Sequence, residues 1–167
     1  MANKYDAQME KLGSYFLRGN LELSSEIIGE FEREVGFTLP ADYREFLLRY
    51  GLSTQRGYAT WPDLRRPGKP GGGVDWWYGL NPNESRDLLR QWKGFRGRIP
   101  SDMLPIAESP GGQICLGLAG EERGKLFWWD RSEPHADPRQ NLNVIASDFD
   151  TFINSLWIVR GPGATGQ

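Results

Sequence analysis

One stretch gathers the residue types that could do acid–base or metal chemistry. In "GKLFWWDRSEPHAD", residues 124–137, Asp130, Glu133 and Asp137 surround His135, the one histidine of the 167-residue chain. A metal centre needs three or four ligands converging on a point, and His135-x-Asp137 alternates as strand ligands would. Pro134 and Pro138 bracket that pair, however, and mark a loop. No second histidine completes a zinc set, and an all-oxygen calcium loop needs denser acids with a glycine at the turn. The expectation is therefore no metal and no cofactor. The segment reads as a solvated turn after a strand, with Asp130 bonded to nearby backbone. A third reading makes Asp130 and Glu133 an acidic rim for a protein contact.

Other candidates for chemistry reduce to structure. Gly111-Gly112 leads into Gln113 and a strand rather than into the Lys-Ser/Thr and helix of a phosphate loop, so it reads as a structural turn using positive φ. Ser101 and Ser109 lie in no G-x-S-x-G context, and a nucleophilic serine would need the distant His135. Cys115 falls in the middle of a strand pattern, where a small buried side chain is the ordinary role. Arg86, Arg90 and Lys93 recur at spacings of four and three and could touch phosphates, but Glu84 and Asp87 interrupt that stripe. A solvated charged face is expected there, not nucleic-acid binding. No catalytic residue is assigned, and the chain is read as a non-enzyme.

The elements that must position these residues follow from periodicity and punctuation. "SSEIIGEFEREVG" predicts a helix capped at Ser24 or Ser25, with Ile27, Ile28, Phe31 and Val35 on one face and Gly36 in the left-handed position after it. "FTLPADYREFLLRYG" predicts a second, with Pro40 in the first turn and Tyr43, Phe46, Leu47 and Tyr50 inward. The first 20 residues predict a helical or loose extension. Residues 54–73, dense in proline, glycine and positive charge, predict a long mobile loop. "VDWWYGL" predicts a strand, and "NPNESRDLLRQW" a helix capped at Asn81. A strand after Gly112 and "KLFWWD" predict a hairpin, "NLNVIA" a short strand, and "SDFDTFINSLW" a last helix capped at Ser147. The order, two helices, strands with one helix inserted, then a closing helix, predicts an α+β fold. It is one domain with helices packed beside a mainly antiparallel or mixed sheet.

The tryptophan pairs carry the most information about partners. Adjacent strand residues point to opposite faces, so neither Trp76 and Trp77 nor Trp128 and Trp129 can share one core face. The expectation is Trp76 inside with Val74 and Tyr78, and Trp77 with one of Trp128 and Trp129 lining a surface groove; the alternative is that all four are core or are covered by the 54–73 loop. Seven tryptophans are many for this length, and tryptophan is a common interface anchor. Charge is also divided. Residues 56–98 carry nine basic and four acidic groups against 11 and 18 elsewhere, a two-signed surface suited to protein recognition. One cysteine allows no internal disulfide, no run reaches the roughly 20 apolar residues of a membrane span, and the N-terminus lacks the apolar core of a secretion signal. A cytoplasmic protein with no membrane partner is expected.

Three pieces, in this order, resemble the SUKH superfamily, which includes the yeast cell-wall-assembly regulators of the Smi-one/Knr-four type. They are "IIGEFEREVGFTLPADYREFLLRYG", then "LPIAESPGGQICLGL" followed by "GKLFWWD", then "NVIASDFDTFINSL". They place a SUKH-like domain at 21–158, between an extension at 1–20 and a tail at 159–167. The resemblance implies function by binding: bacterial members are regarded as immunity proteins that neutralise toxins delivered between competing cells. The alternative it implies is a regulatory interaction module with a non-toxin partner. It supplies no catalytic residues. Trp77, Trp128, Trp129, Asp130 and Glu133 are the expected partner-binding residues.

Overall fold

The structure is a computed structural model and describes residues 2–17, 23–132 and 136–159. Glu133 and His135 lie outside the described residues. The chain begins with α1 (Asp6–Lys11) and β1 (Ser14–Phe16), and Tyr5, Met9 and Leu12 are buried. The N-terminal segment is therefore part of the core rather than a loose extension. The Tyr5 hydroxyl donates to Asp150, and the Tyr50 hydroxyl to Asp6, tying the segment to helices far along the chain.

Helix α2 (Ser25–Val35) is capped by Ser24, whose hydroxyl accepts from the Ile27 N–H at 3.3 Å, and ends on Gly36 with φ of 82°. Its buried stripe is Ile28, Phe31 and Val35, while Ile27 is exposed. Both isoleucines neighbour Phe31 at helical spacing, but at about 100° per residue Ile28 lies about 20° from Val35 and Ile27 about 80°, so Ile27 falls at the edge of the stripe. Helix α3 (Ala41–Tyr50) follows Pro40 and buries Tyr43, Phe46, Leu47 and Tyr50, as its periodicity predicts. Helix α5 (Phe149–Ser155) buries Phe149, Phe152 and Ile153, with Leu156 just after it. Its cap is Asp148, not Ser147: the Asp148 carboxylate accepts from the Thr151 N–H at 2.7 Å.

The expected mobile loop at 54–73 is mostly sheet. Strands β2 (Ser53–Gln55), β3 (Tyr58–Pro62) and β4 (Pro70–Val74) occupy it, with β2 pairing β1 and β3 pairing β4. The glycines that suggest a loop leave space for rings. A side-chain carbon built on Gly71 would meet Trp61 Nε1 at 2.5 Å, and one on Gly72 would meet Trp61 Cζ2 at 2.6 Å. Trp61 thus packs across bare backbone and restores the apolar burial that three glycines forgo. Strand β10 (Trp157–Val159) completes this three-stranded sheet on the far side of β3.

A five-stranded antiparallel sheet holds β5 (Trp76–Trp77), β6 (Met103–Ser109), β7 (Gly112–Gly117), β8 (Leu126–Asp130) and β9 (Leu142–Ala146) in that spatial order. Strand β4 runs into β5 through Asp75, whose N–H donates to Glu108 O at 2.9 Å as the chain changes sheets. Side chains of one sheet face, including Leu104, Ile114, Leu116 and Leu126, join the main core under α2, α3 and α5. On the other face Ile99, Met103, Cys115, Phe127 and Trp129 form a second, smaller core. Short helix α4 (Leu88–Gly94) is capped by Asp87, which accepts from the Arg90 N–H at 3.0 Å. The expected start at Asn81 is instead a turn, its N–H donating to Asp87 Oδ1 at 2.9 Å. Elements from both ends of the chain meet one core, and the architecture is the expected single α+β unit.

Candidate partner-binding groove

The four paired tryptophans take four different environments. Trp77 is wholly buried, with its ring edge-on to Phe46 at 4.7 Å and near Phe149 and Phe152 at 6.2 and 6.3 Å. The expectation that it lines a groove is overturned. The break at Asp75 ends the simple alternation, so Val74, Trp77 and Tyr78 are buried while Trp76 is half-buried beneath the Arg86 guanidinium, 4.3 Å from the ring centre. Trp129 is also buried, at 4% exposure, in the second core. Phe95 meets it edge-on at 5.6 Å, and Arg98 lies 5.4 Å over the ring. Its expected surface role is overturned too, because Phe95, Arg98 and Ile99, in the segment after α4, cover it on the sheet's second face.

Trp128 is the member left partly open. Its Nε1 donates to Ser109 Oγ at 3.2 Å, and its ring lies over the β6–β7 turn. Gly111 there has φ of 75°, and a side-chain carbon on Gly112 would come 3.0 Å from the ring. Gly111 and Gly112 are thus the expected tight turn, with the added task of seating the indole. Asp130 accepts from the Ser132 N–H and hydroxyl at 2.9 and 2.7 Å, and its carbonyl accepts from Asn141 Nδ2 at 2.8 Å. It fastens its own turn, as the sequence suggests. Asp137 accepts from the Arg139 N–H at 3.0 Å in the same manner.

Trp128 lies on a groove of about 700 Å³. Residues 142–145 of β9 and residues 71–73 of β4 line it. Trp61 and Tyr58 contribute aromatic surface, and Leu64 projects at 63% exposure. Asp63 is the one carboxylate among the lining residues; Arg66 bonds it at 2.7 Å and holds its carboxyl below the usual range. Arg65, also lining the groove, makes no ion pair among the described residues. The site combines aromatic and aliphatic area with a positive margin, a composition suited to holding a protein segment. Tyr58, Trp61, Leu64 and Val144 are groove residues that sequence reasoning missed. A usable signal was present: an aromatic two or three residues from a turn, facing a run of glycines that leaves rings uncovered.

Elsewhere the candidate chemistry is absorbed by structure. Cys115 is fully buried, and burial pushes its thiol far above the range in which it ionises. The basic stripe is dispersed: Arg86 pairs with Glu108 at 3.2 Å, Lys93 with Glu34 at 3.2 Å, and Arg90 donates to Pro82 O at 3.0 Å. Among the described residues no group of three metal-ligating side chains converges, and no helix is long and apolar enough to cross a membrane.

Comparison with known proteins gives two matches. Residues 22–155 match the model of the SMI1 / KNR4 family (SUKH-1). The chain is also 30% identical over 148 residues to the SPbeta prophage-derived uncharacterized protein YokK of Bacillus subtilis (strain 168), covering 80% of this chain and 74% of that protein.

Proposed function

The chain belongs to the SMI1 / KNR4 family (SUKH-1), and from that premise we propose that it is an immunity protein, neutralising a toxin by binding it. The observation that carries this reading is the family match over most of the chain, joined to a relative whose name places it in a prophage. Bacterial members of the family are regarded as toxin-neutralising. The groove around Trp128 supports a mechanism by occlusion. A half-buried indole, the exposed Tyr58 and Leu64, and a positive margin offer an anchor with charges to steer approach. Asp130, at the end of the strand carrying Trp128, stays in the proposed contact as a rim residue, and Glu133, three positions on in the sequence, is proposed with it.

The test is growth rescue. Secreted toxins encoded beside this gene are expressed in the cytoplasm of a sensitive host with and without this chain. Rescue together with a co-purifying complex is expected for one of them. Trp128→Ala is expected to lose rescue while its circular dichroism spectrum stays native. If no neighbouring toxin is neutralised, or if Trp128→Ala protects as well as the unaltered chain, the reading fails in whole or at this groove respectively.

A further inference from the structure

The groove around Trp128 has a feature that an ordinary surface cleft lacks: both of its long walls are sheet edges. Among the described residues, β9 is paired with β8 alone and β4 with β3 alone. The groove is lined by four consecutive residues of β9 and three consecutive residues of β4. Edge strands are normally guarded by charge, proline or a covering element, because an open ladder recruits other chains. Strand β9 reads Leu-Asn-Val-Ile-Ala, with no charge and no proline, and Val144 is 50% exposed. The Leu142 N–H donates to Arg139 O at the start of the strand, and beyond the ladder to β8 the backbone of Asn143–Ala146 takes part in no other backbone hydrogen bond among the described residues. At β4 the rings of Trp61 and Tyr58 fill the space that the missing side chains of Gly71, Gly72 and Gly73 leave, and the exposed Tyr58 together with Trp128 gives apolar surface for the alternate side chains of a guest strand. The margin has one acid, already bonded to Arg66, against Arg65 and Arg66, with Lys69 in the same hairpin. Arg131 adds a cation beside the turn, its N–H donating to Gly111 O at 3.0 Å.

We propose that this groove captures an extended, acidic segment of the partner as an added strand on the free edge of β9. The inference rests on the reading of the groove as the toxin-contact surface, and it names how the contact is made. Main-chain hydrogen bonds to Leu142–Ala146 supply the affinity, and the aromatic floor and cationic margin select alternating apolar and acidic side chains.

The experiment uses the full chain with synthetic peptides, so it needs no toxin. Three capped heptapeptides are compared at millimolar concentration by amide hydrogen exchange. One alternates valine with glutamate, the second alternates valine with lysine, and the third is the glutamate peptide with alternate amides N-methylated. The glutamate peptide is expected to slow exchange by about tenfold or more at those amides of Asn143–Ala146 that point away from β8. The lysine peptide should bind at least about tenfold more weakly, and the N-methylated peptide should leave exchange unchanged. Val144→Glu, at a half-exposed position the fold does not need, is expected to abolish the protection by setting like charge on the edge. No slowing at β9 with the glutamate peptide, or equal slowing with the N-methylated one, overturns strand addition. Equal binding of the lysine peptide overturns the acidic specificity. Peptide failure with intact growth rescue removes only this inference, whereas failed rescue with intact peptide binding removes the toxin reading.

Discussion

Two tryptophans, each drawn from a Trp-Trp pair on a strand, separate folding from binding. Trp77 contacts three phenylalanine rings and is fully buried, so Trp77→Ala should cost about 3–5 kcal/mol, read as a lower urea midpoint. Trp128→Ala removes a half-buried ring and one hydrogen bond to Ser109, so its cost should be about 1–2 kcal/mol, with the larger loss in partner binding. Asp75 gives a pH test at the same scale. Burial, and then the Glu108 carboxylate, raise its carboxyl above the ordinary range, with Arg86 offsetting part of the effect. A carboxyl whose folded pKa is raised takes up its proton in the folded state first. Its ionised form therefore opposes folding at neutral pH, and the opposition vanishes as pH falls below the unfolded value of about 3.9. Asp75→Asn should thus melt higher than the unaltered chain at pH 7, and the difference should shrink towards zero by pH 3.5. An advantage that persists at low pH would place the effect elsewhere.

At the scale of elements, glycine in β4 reverses its usual sign. Alanine in place of strand glycine ordinarily helps by reducing unfolded-state entropy. At Gly72 the added carbon would meet the Trp61 ring at 2.6 Å and again at 2.8 Å, so Gly72→Ala should destabilise by about 1–3 kcal/mol. Restoration by a smaller partner, in Gly72→Ala with Trp61→Leu, would show that the ring is the cause. The same strand explains why the hairpin at 58–74 reads as a loop in the sequence. Turn-forming composition describes the chain alone, whereas the strand exists because a distant ring covers it. Helices α2, α3 and α5 were legible, since a 3.6-residue apolar repeat is a local signal, and so was the β7–β8 hairpin. Caps were legible only to within a residue or several: Asp148 displaces Ser147, and Asp87 displaces Asn81. Asp87→Ala should therefore cost about 1 kcal/mol in a thermal melt, and more than Asn81→Ala. The groove itself was half legible. Alternation required one of Trp128 and Trp129 to face away from the main core, but which one stays open depends on Phe95 and Ile99, after α4, covering the second sheet face. That packing has no signature in the strand.

At the scale of the molecule, the family match and the folded unit do not share an edge. The match covers residues 22–155, yet Tyr5, Met9 and Leu12 lie in the main core, and β10 (Trp157–Val159) pairs with β3. Tyr5 stands edge-on to Phe46 and Phe149, each at 5.7 Å, and so bridges α3 and α5, which otherwise approach from opposite ends of the sequence. Burying three such side chains contributes about 5–9 kcal/mol at roughly 1.5–3 kcal/mol each. Domains of this kind have total stabilities of about 5–15 kcal/mol. Shortening the chain to begin at residue 22 should therefore remove most of the stability while leaving every family-matched residue in place. The expected result is loss of the near-ultraviolet dichroism that reports fixed aromatic packing, with far-ultraviolet helix signal partly retained, and a urea midpoint close to zero. A shortened chain that kept a sharp, native-like transition would mean that α1 rests on a core complete without it. Loss of toxin rescue by that chain would then report the fold rather than the groove, which makes the point substitution Trp128→Ala the cleaner probe of function.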